Sequence, residues 1–163
     1  MKRSLSTIVV LVSLAFASLA AAQTQVSSQS GATAVRPASW EDAVGNDRGT
    51  FTFREPETNS QIEVISTSLL TADVKDVFFN TFHDGLIAAQ FTQTSQEEQT
   101  FGEHEGVLTS YSFDHSGASL VVAVFEFMIG NNAWLVVAYS GEDSAERVRA
   151  PFEEVAASLA IAQ

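Results

Sequence analysis

Polar and apolar residues alternate in two short stretches near the middle of the chain. The first alternation places Phe51 and Phe53 on one side, and the second places Ile62 and Val64 on one side. A period of two is typical of a strand that buries one face. Turn-forming residues lie between the two stretches, at 55–60, so the pattern predicts a β-hairpin.

A helical spacing begins after residue 71. Large apolar residues recur at every fourth position, namely Val74, Phe78, Phe82 and Leu86. Thr71 stands where it would cap the helix, and Asp73 falls in the first turn, where the helix dipole favours a negative charge. We therefore expect a first helix with this stripe toward the core. Phe79 lies off the stripe.

The next two segments differ in polarity. Residues 91–101 are rich in Thr and Gln, which is typical of an exposed or edge strand. Residues 107–113 alternate, and one side carries Val107, Thr109, Tyr111 and Phe113. Turn-forming residues follow at 114–117. The pattern predicts two further strands, of which the second buries one face.

Two strongly apolar segments come after this turn. Leu120 to Ile129 is apolar at every position except Glu126, and Ala133 to Tyr139 has no polar side chain except that of the tyrosine. Strands of this kind need cover on both faces. Gly130, Asn131 and Asn132 form a turn between them, so we expect an antiparallel hairpin at the centre of a sheet with helices or loops on both sides.

The last segment again has helical spacing, with apolar residues at Val148, Phe152, Val155 and Leu159. Pro151 lies inside it, and proline removes a helix hydrogen bond at a cost of about 3 kcal/mol. We expect either a kink or a short helix followed by a second one that begins near Pro151. The complete order is strand, strand, helix, four strands, helix, which is an α+β fold with an antiparallel sheet flanked by helices.

The beginning of the chain has the features of a signal peptide. Lys2 and Arg3 precede an apolar run from Ile8 to Leu19 that is broken only by two serines, and three alanines follow at 20–22. Small residues at these positions suit cleavage by signal peptidase. A membrane-spanning helix needs about 20 apolar residues, and this run is shorter. The sequence therefore predicts a signal peptide over 1–22 and a mature chain that begins at Gln23.

Residues 23–37 are mostly Gln, Ser, Thr, Ala and Gly, with Val26 and Val35 as the only large apolar residues. Such a composition predicts a disordered spacer, because little apolar surface can be buried. A single domain is then expected over 38–163, since no repeat and no second linker follows.

Charge and cysteine content exclude several classes of function. Without Lys2 and Arg3, 6 basic residues face 20 acidic ones, which gives the predicted mature chain a formal net charge of −14. Nucleic acid and anionic membrane surfaces require clustered basic residues, so we expect neither as a partner, and repulsion favours a monomer. The absence of cysteine excludes a disulfide, a thiolate metal site, a cysteine nucleophile and a lipidated cysteine anchor.

The sequence resembles the Mog1/PsbP-like family over about residues 36–163. The marks of the resemblance are Pro37 and Trp40, the segment Thr100-Phe101-Gly102 before the strand with Tyr111, the turn Gly130-Asn131-Asn132, and the closing run Pro151 to Leu159 with its Ser158-Leu159 end. The resemblance implies an α/β/α sandwich and, in most members, no enzymatic activity. Members include photosystem accessory subunits, a nuclear transport factor, secretion chaperones and exported lipoproteins. This chain lacks the lipoprotein cysteine, and its signal peptide argues against a cytoplasmic chaperone.

The residues suited to catalysis are few. His104 lies between Glu103 and Glu105, but adjacent strand residues point to opposite faces, and a solvated charged turn explains the cluster. Glu126 either has its pKa raised by burial, or lies near the end of its strand, or pairs with an arginine such as Arg147 or Arg149. Nucleophile-elbow, dinucleotide-binding, Walker and zinc-protease motifs are absent from the sequence. We therefore assign no catalytic residue, no cofactor and no metal site.

Two classes of function remain. The first is an exported, non-catalytic module that binds a protein partner, whose identity the sequence does not give. The residues proposed for this surface are Phe79, Glu97, Glu98, Glu103 and Glu105. The alternative is a binder of a small apolar ligand between the sheet and a helix, which would require a cavity rather than a filled core beneath Phe78 and Phe82. An enzyme is a distant third hypothesis.

Overall fold

The computed structural model describes residues 24–27, 31–43, 51–69, 71 and 74–161. The predicted signal peptide, its cleavage site before Gln23 and the predicted first-turn residue Asp73 lie outside the described residues. No helix within the described ranges is both long and apolar enough to cross a membrane.

The described residues form ten strands and two α-helices, and a 3-10 turn at Glu142–Ser144 directly precedes the second helix. Their bounds are β1 (Thr24–Ser27), β2 (Ala32–Arg36), β3 (Glu41–Asp42), β4 (Phe51–Arg54), β5 (Gln61–Ser68), α1 (Lys75–Ala88), β6 (Thr92–Phe101), β7 (His104–His115), β8 (Ala118–Ile129), β9 (Asn132–Gly141), α2 (Ala145–Ser158) and β10 (Ala160–Ile161). The predicted order of two strands, helix, four strands and helix is confirmed from β4 to α2.

Seven strands form the main sheet in the order β3-β4-β5-β9-β8-β7-β6, and all neighbours are antiparallel. The two most apolar strands, β8 and β9, are adjacent in its middle, and the turn at Gly130 and Asn131 joins them. The expectation of a central apolar hairpin is therefore confirmed.

Side chains of the central strands alternate between two apolar cores. In β9, Leu135 and Val137 belong to the core that contains residues of α1, and Trp134 and Val136 belong to the core that contains residues of α2. Alternate strand residues point to opposite faces, so the helices cover opposite sides of the sheet. We call these sides the α1 face and the α2 face. The chain is an α+β sandwich, as predicted.

The helix α1 is rotated relative to the sequence prediction. Phe79 and Leu86 are its buried residues, whereas Val74 is exposed. Residues spaced by four drift about 40° per step around a helix with 3.6 residues per turn, so a stripe of strict fourth positions leaves the core side. The predicted cap is also wrong: the helix begins after Val74 without a side-chain cap, and the Thr71 carbonyl accepts a hydrogen bond from the Val74 N–H at 3.3 Å.

The helix α2 continues through Pro151 as one element, so the alternative of two separate helices is wrong. The predicted apolar stripe is confirmed, because Val148, Phe152, Val155 and Leu159 are all buried. Burial of these residues against the sheet offsets the hydrogen bond that the proline ring removes.

The predicted disordered spacer is wrong for two of its segments. β1 and β2 pair with each other, and β2 also pairs with β10, which gives a second, three-stranded sheet. Ala32 and Ala34 of β2 are buried in the core of the α2 face. The hydrophobicity pattern did not indicate this packing, because alanine side chains are large enough to fill the space where a strand lies close to a helix. Pairing with β1 and β10 satisfies the backbone N–H and C=O groups of β2.

Candidate functional site

The strand β6 forms one end of the main sheet and pairs only with β7 among the described strands. Nine of its ten residues are exposed, and only the last, Phe101, is buried. A strand that is polar at its first nine positions has little core to cover, so it comes to lie at the edge of the sheet. The expectation of an exposed or edge strand is confirmed.

The four acidic residues proposed for a partner surface surround this edge without forming one patch. Glu97 pairs with Leu108 and lies on the α2 face. Glu98 and Glu105 belong to the alternate positions of β6 and β7 and lie on the α1 face, while Glu103 occupies the turn between the strands.

Phe79 does not contribute to this surface. Its side chain is buried beneath α1, with 8 % exposure, in the core that also contains Tyr111 and Val122. The prediction of Phe79 as an exposed partner contact is therefore wrong.

The turn between β6 and β7 is held tightly against α2. Gly102 has a φ of +60°, and a Cβ atom at this position would lie 2.7 Å from the Ala157 carbonyl oxygen. A side chain would be strained in this conformation and would collide with the helix backbone. The beginning of β7 is equally close to its neighbour, because a Cβ at Gly106 would meet the Glu126 carbonyl oxygen.

A cleft of about 310 Å³ lies on the α2 face between β6 and α2. Leu108, Ala123 and Ala138 are among the sheet residues that line it, and Val148 and Phe152 line it from the helix. Its charged lining residues are Glu97, Glu146, Arg149 and Glu153. The Arg149 Nε atom donates to Glu153 Oε1 at 3.2 Å, so the lining combines an apolar floor with an excess of carboxylates.

A shallower groove of about 740 Å³ lies on the α1 face of the same two strands. Glu98 and Thr100 line it from β6, and Glu105, Gly106 and Val107 line it from β7. The edge strand therefore has one depression on each side, and each depression contains a carboxylate of β6.

A third groove, of about 560 Å³, follows α1 over β5 and β9. Phe78, Phe82 and Tyr139 line it, together with Val77, which is 64 % exposed. Burial, and after it the charge of Glu63, raises the pKa of Tyr139 to about 12. The phenol is therefore neutral at physiological pH, and the groove is predominantly apolar.

A chain of hydrogen bonds connects α1 to the sheet next to this core. The Tyr111 hydroxyl lies 2.6 Å from His83 Nδ1, and His83 Nε2 lies 2.8 Å from Glu126 Oε2. A carboxylate oxygen accepts hydrogen bonds, so the arrangement fits the tautomer in which His83 Nε2 donates to Glu126 and Nδ1 accepts a hydrogen bond from the Tyr111 hydroxyl. The side chains of His83 and Glu126 are each 16 % exposed.

The hydrogen-bonded side chains of Tyr111, His83 and Glu126 lie in a largely buried environment. Burial, followed by the charges of Glu126 and Asp84, raises the pKa of Tyr111 above its ordinary value. Tyr111 is 1 % exposed, and its side chain belongs to the core of the α1 face. The three residues tie α1 to β7 and β8.

The predicted pairing of Glu126 with Arg147 or Arg149 is wrong. Glu126 alternates with Phe125 and Phe127 of the α2-face core and points to the α1 face, whereas both arginines are on α2. Arg147 instead lies 3.8 Å from Glu57. A sequence signal for the actual partner exists: His83 follows Phe79 by four residues and precedes Leu86 by three, which places it on the buried side of α1.

The other two histidines take no part in the hydrogen bonds between Tyr111, His83 and Glu126. His104 Nε2 lies 2.8 Å from the Leu159 carbonyl oxygen, and its ring stacks on Phe127 at a centroid distance of 4.7 Å. His115 is exposed at the end of β7. Among the described residues, no group of three or more His, Asp or Glu side chains is placed to hold a metal ion.

The seven-stranded antiparallel sheet between two helices is the Mog1/PsbP-like fold, and comparison with solved structures shows this directly. The chain is similar to LpqN of Mycobacterium tuberculosis, a protein involved in cell envelope biogenesis, with 16% identity, a TM-score of 0.62, and coverage of 86% of this chain and 91% of that one. It is similar to the Ran-binding protein Mog1p of Saccharomyces cerevisiae, with 11% identity, a TM-score of 0.58, and coverage of 85% and 95%. It is also similar to cyanobacterial PsbP (CyanoP) from Synechocystis, with 17% identity, a TM-score of 0.54, and coverage of 89% and 96%.

A structure from Bacteroides thetaiotaomicron is also similar, with a TM-score of 0.57 and 15% identity. The match covers 82% of this chain and 46% of the other protein, so this chain spans about half of that protein's length. No protein-family model and no curated protein matches the sequence. At identities this low, the structural similarity establishes the fold alone, and function depends on the surface of this chain.

Proposed function

We propose that this chain is a non-catalytic binding or accessory module that acts through protein–protein contacts in the cell envelope or the medium. The observation that carries the proposal is the edge strand β6, which offers ten residues of backbone beside two acidic depressions. The unpaired side of such an edge is suited to pairing with another chain.

Proteins of the same fold support a binding role. Mog1p is a Ran-binding protein, and LpqN is involved in cell envelope biogenesis. By analogy, we propose a protein partner for this chain and a place in or beyond the envelope. Export is supported by the basic start and apolar run within residues 1–22, and an intact mass that begins at Gln23 would establish it.

The absence of catalysis is part of the proposal. It is supported by the environment of the histidines, since His83 and His104 are engaged in contacts between elements of the fold. Tyr111, whose hydroxyl is hydrogen-bonded to His83, is enclosed by the core. General acid–base catalysis requires a group within hydrogen-bond reach of the substrate.

The experiment that tests this proposal uses site-specific photocrosslinking on the exported protein. A photoreactive benzoyl-phenylalanine replaces Gln96 or Glu98 of β6 in separate variants, and the same group at His115 serves as the control, because that residue is also exposed on a strand but lies beyond the end of β6, which pairs with β7 only as far as Ser112. We expect one discrete crosslinked species from the β6 positions and none from the control. Equal yields from all three positions would contradict binding at this edge.

A second candidate function is favoured by the groove along α1. The groove is open rather than an enclosed cavity, but its volume of about 560 Å³ and its aromatic lining, Phe78 and Phe82, support binding of a small apolar ligand. Nile red fluorescence measures such binding. We expect Val77→Asp to abolish it and Ile87→Asp to leave it unchanged, since Ile87 is also exposed on α1 but does not line the groove.

A further inference from the structure

We propose that the partner contributes an extended basic segment, which adds to β6 as a further strand and places a Lys or Arg side chain in the cleft beneath α2. This inference rests on the proposed function and specifies the partner of the same site. It combines the backbone of the edge, the lining of the cleft and the charge on both faces.

The backbone of β6 is regular over most of its length. From Ser95 to Phe101 it pairs residue by residue with β7, and the one irregularity lies between Gln93 and Ser95. Alternate residues of an edge strand direct their N–H and C=O groups away from the sheet. The regular part is about 23 Å long, which is enough for an added strand of seven residues.

The cleft determines which side chain fits on the α2 face. Side chains of an added strand alternate between the faces, and those on the α2 face come to lie beside Glu97 and Gln99, which line the cleft. Leu108 and Ala123 provide an apolar floor for the methylene stem of a lysine or arginine. The carboxylates of Glu97 and Glu146 are available for its charged end, whereas Glu153 already accepts from Arg149.

The α1 face selects the same charge less strictly. Glu98 and Glu105 line an open groove there, and all of its lining residues belong to β6 and β7. A basic side chain on this face keeps its water and gains only a screened attraction. The two neighbouring residues Glu97 and Glu98 should therefore contribute unequally, although each carries one negative charge on the same exposed strand.

Charge also argues against a second copy of this chain as the occupant. Pairing of β6 with another β6 would bring Glu97 and Glu98 of both copies to one seam, where like charges on paired strands are destabilising. A partner segment with Lys or Arg reverses the sign of this interaction and accelerates capture.

The probe is a fluorescent, end-blocked octapeptide of alternating Lys and Thr, titrated into the mature protein and followed by anisotropy. We expect binding that Glu97→Gln weakens by about threefold to fivefold and Glu98→Gln by less than about twofold. Ser110→Leu, which narrows the cleft without changing charge, should weaken binding, and Ser112→Leu, further along β7 and outside the cleft, should not. Equal effects of the two glutamine variants would overturn the role of the cleft.

Peptide variants test the mode of binding. Two further peptides carry N-methyl groups at either the odd or the even backbone nitrogens, and we expect one of them to lose binding, because an added strand uses alternate N–H groups. Unchanged binding of both would overturn strand addition. Equal binding of an octapeptide of alternating Glu and Thr would overturn the preference for a basic segment.

Two outcomes separate this inference from the proposed function. Photocrosslinking from β6 without any binding of the Lys–Thr peptide would refute the basic segment and leave the binding module in place. Sedimentation that detects a dimer of the mature protein, together with crosslinking of the β6 positions to a second copy of this chain, would overturn the inference in favour of a second copy at this edge.

Discussion

The two faces of the sheet differ in the kind of side chains that pack on them. The α2 face contains the larger core, with aromatic residues such as Phe53, Phe125 and Trp134, and the strand β2 adds to its cover. The α1 face has a smaller core and includes the hydrogen-bonded residues Tyr111, His83 and Glu126. Apolar packing therefore holds one helix, whereas packing together with a polar network holds the other.

This difference predicts unequal tolerance to change. An apolar core loses stability in proportion to the volume removed, with a further cost for the cavity. A polar network depends on completeness, because removing one member leaves others buried without partners. Substitutions on the two faces should therefore differ in how their effects depend on pH as well as in size.

The largest loss is expected from Phe125→Ala on the α2 face. Phe125 is fully buried, and its ring lies 4.8 Å from that of Phe101 and 5.0 Å from that of Phe127 between centroids. The change should lower the free energy of unfolding by about 3 to 5 kcal/mol. Val137→Ala, equally buried on the α1 face, removes fewer atoms and should cost about 2 kcal/mol. Urea unfolding of both variants measures the difference, and a loss below about 1 kcal/mol for Phe125→Ala would contradict burial of that face.

The next largest loss is expected from His83→Ala on the α1 face. The change leaves the Tyr111 hydroxyl and the Glu126 carboxylate without the histidine between them, at a cost of about 2 to 3 kcal/mol. His115→Ala is the control, since its ring is exposed. Urea unfolding near pH 7 measures both. Equal stability of the two variants would mean that the hydrogen-bonded chain does not hold α1.

Particular residues explain how far the sequence predicts this structure. The hairpin of β8 and β9 was predictable because nearly every position is apolar, and such strands have no stable place except between two layers. β2 was missed, since its buried residues Ala32 and Ala34 are too small to mark a core position in the sequence.

The candidate site was predictable only in part. The polar composition of β6 predicted its position at the edge, but the cleft depends on how far α2 extends over the sheet, which no local pattern encodes. The partner of Glu126 was missed because His83 lies 43 positions away in the sequence. Only the orientation of α1 about its own axis brings the histidine ring to the carboxylate. Phe79 was misplaced for the same reason.

The next effect in size is a loss of stability at alkaline pH, which we expect to arise from the α1 face. Both tyrosines of the chain, Tyr111 and Tyr139, belong to the α1 face, and the pKa of each is raised in the folded protein, that of Tyr139 to about 12. A raised pKa stabilises the folded state below the unfolded value of 10.0, and this contribution is lost as pH rises toward 12. The free energy of unfolding should fall between these pH values, less steeply in Tyr139→Phe. An identical slope in that variant would contradict burial of the phenol.

The smallest effect is expected where the N-terminal strands meet α2. Ser158 Oγ accepts a hydrogen bond from the Val35 N–H at 2.9 Å and donates to the Val155 carbonyl oxygen at 2.9 Å, so one hydroxyl joins β2 to the end of the helix. Ser158→Ala should cost about 1 kcal/mol. Because the bond is local, the change should accelerate amide exchange at Val35 more than in β8 or β9. Ser119→Ala, which removes a hydroxyl bonded to Asp114 within an exposed turn, should leave exchange at Val35 unchanged. Unaltered exchange in Ser158→Ala would mean that pairing with β1 and β10 and the burial of Ala32 and Ala34 hold β2 without this hydroxyl.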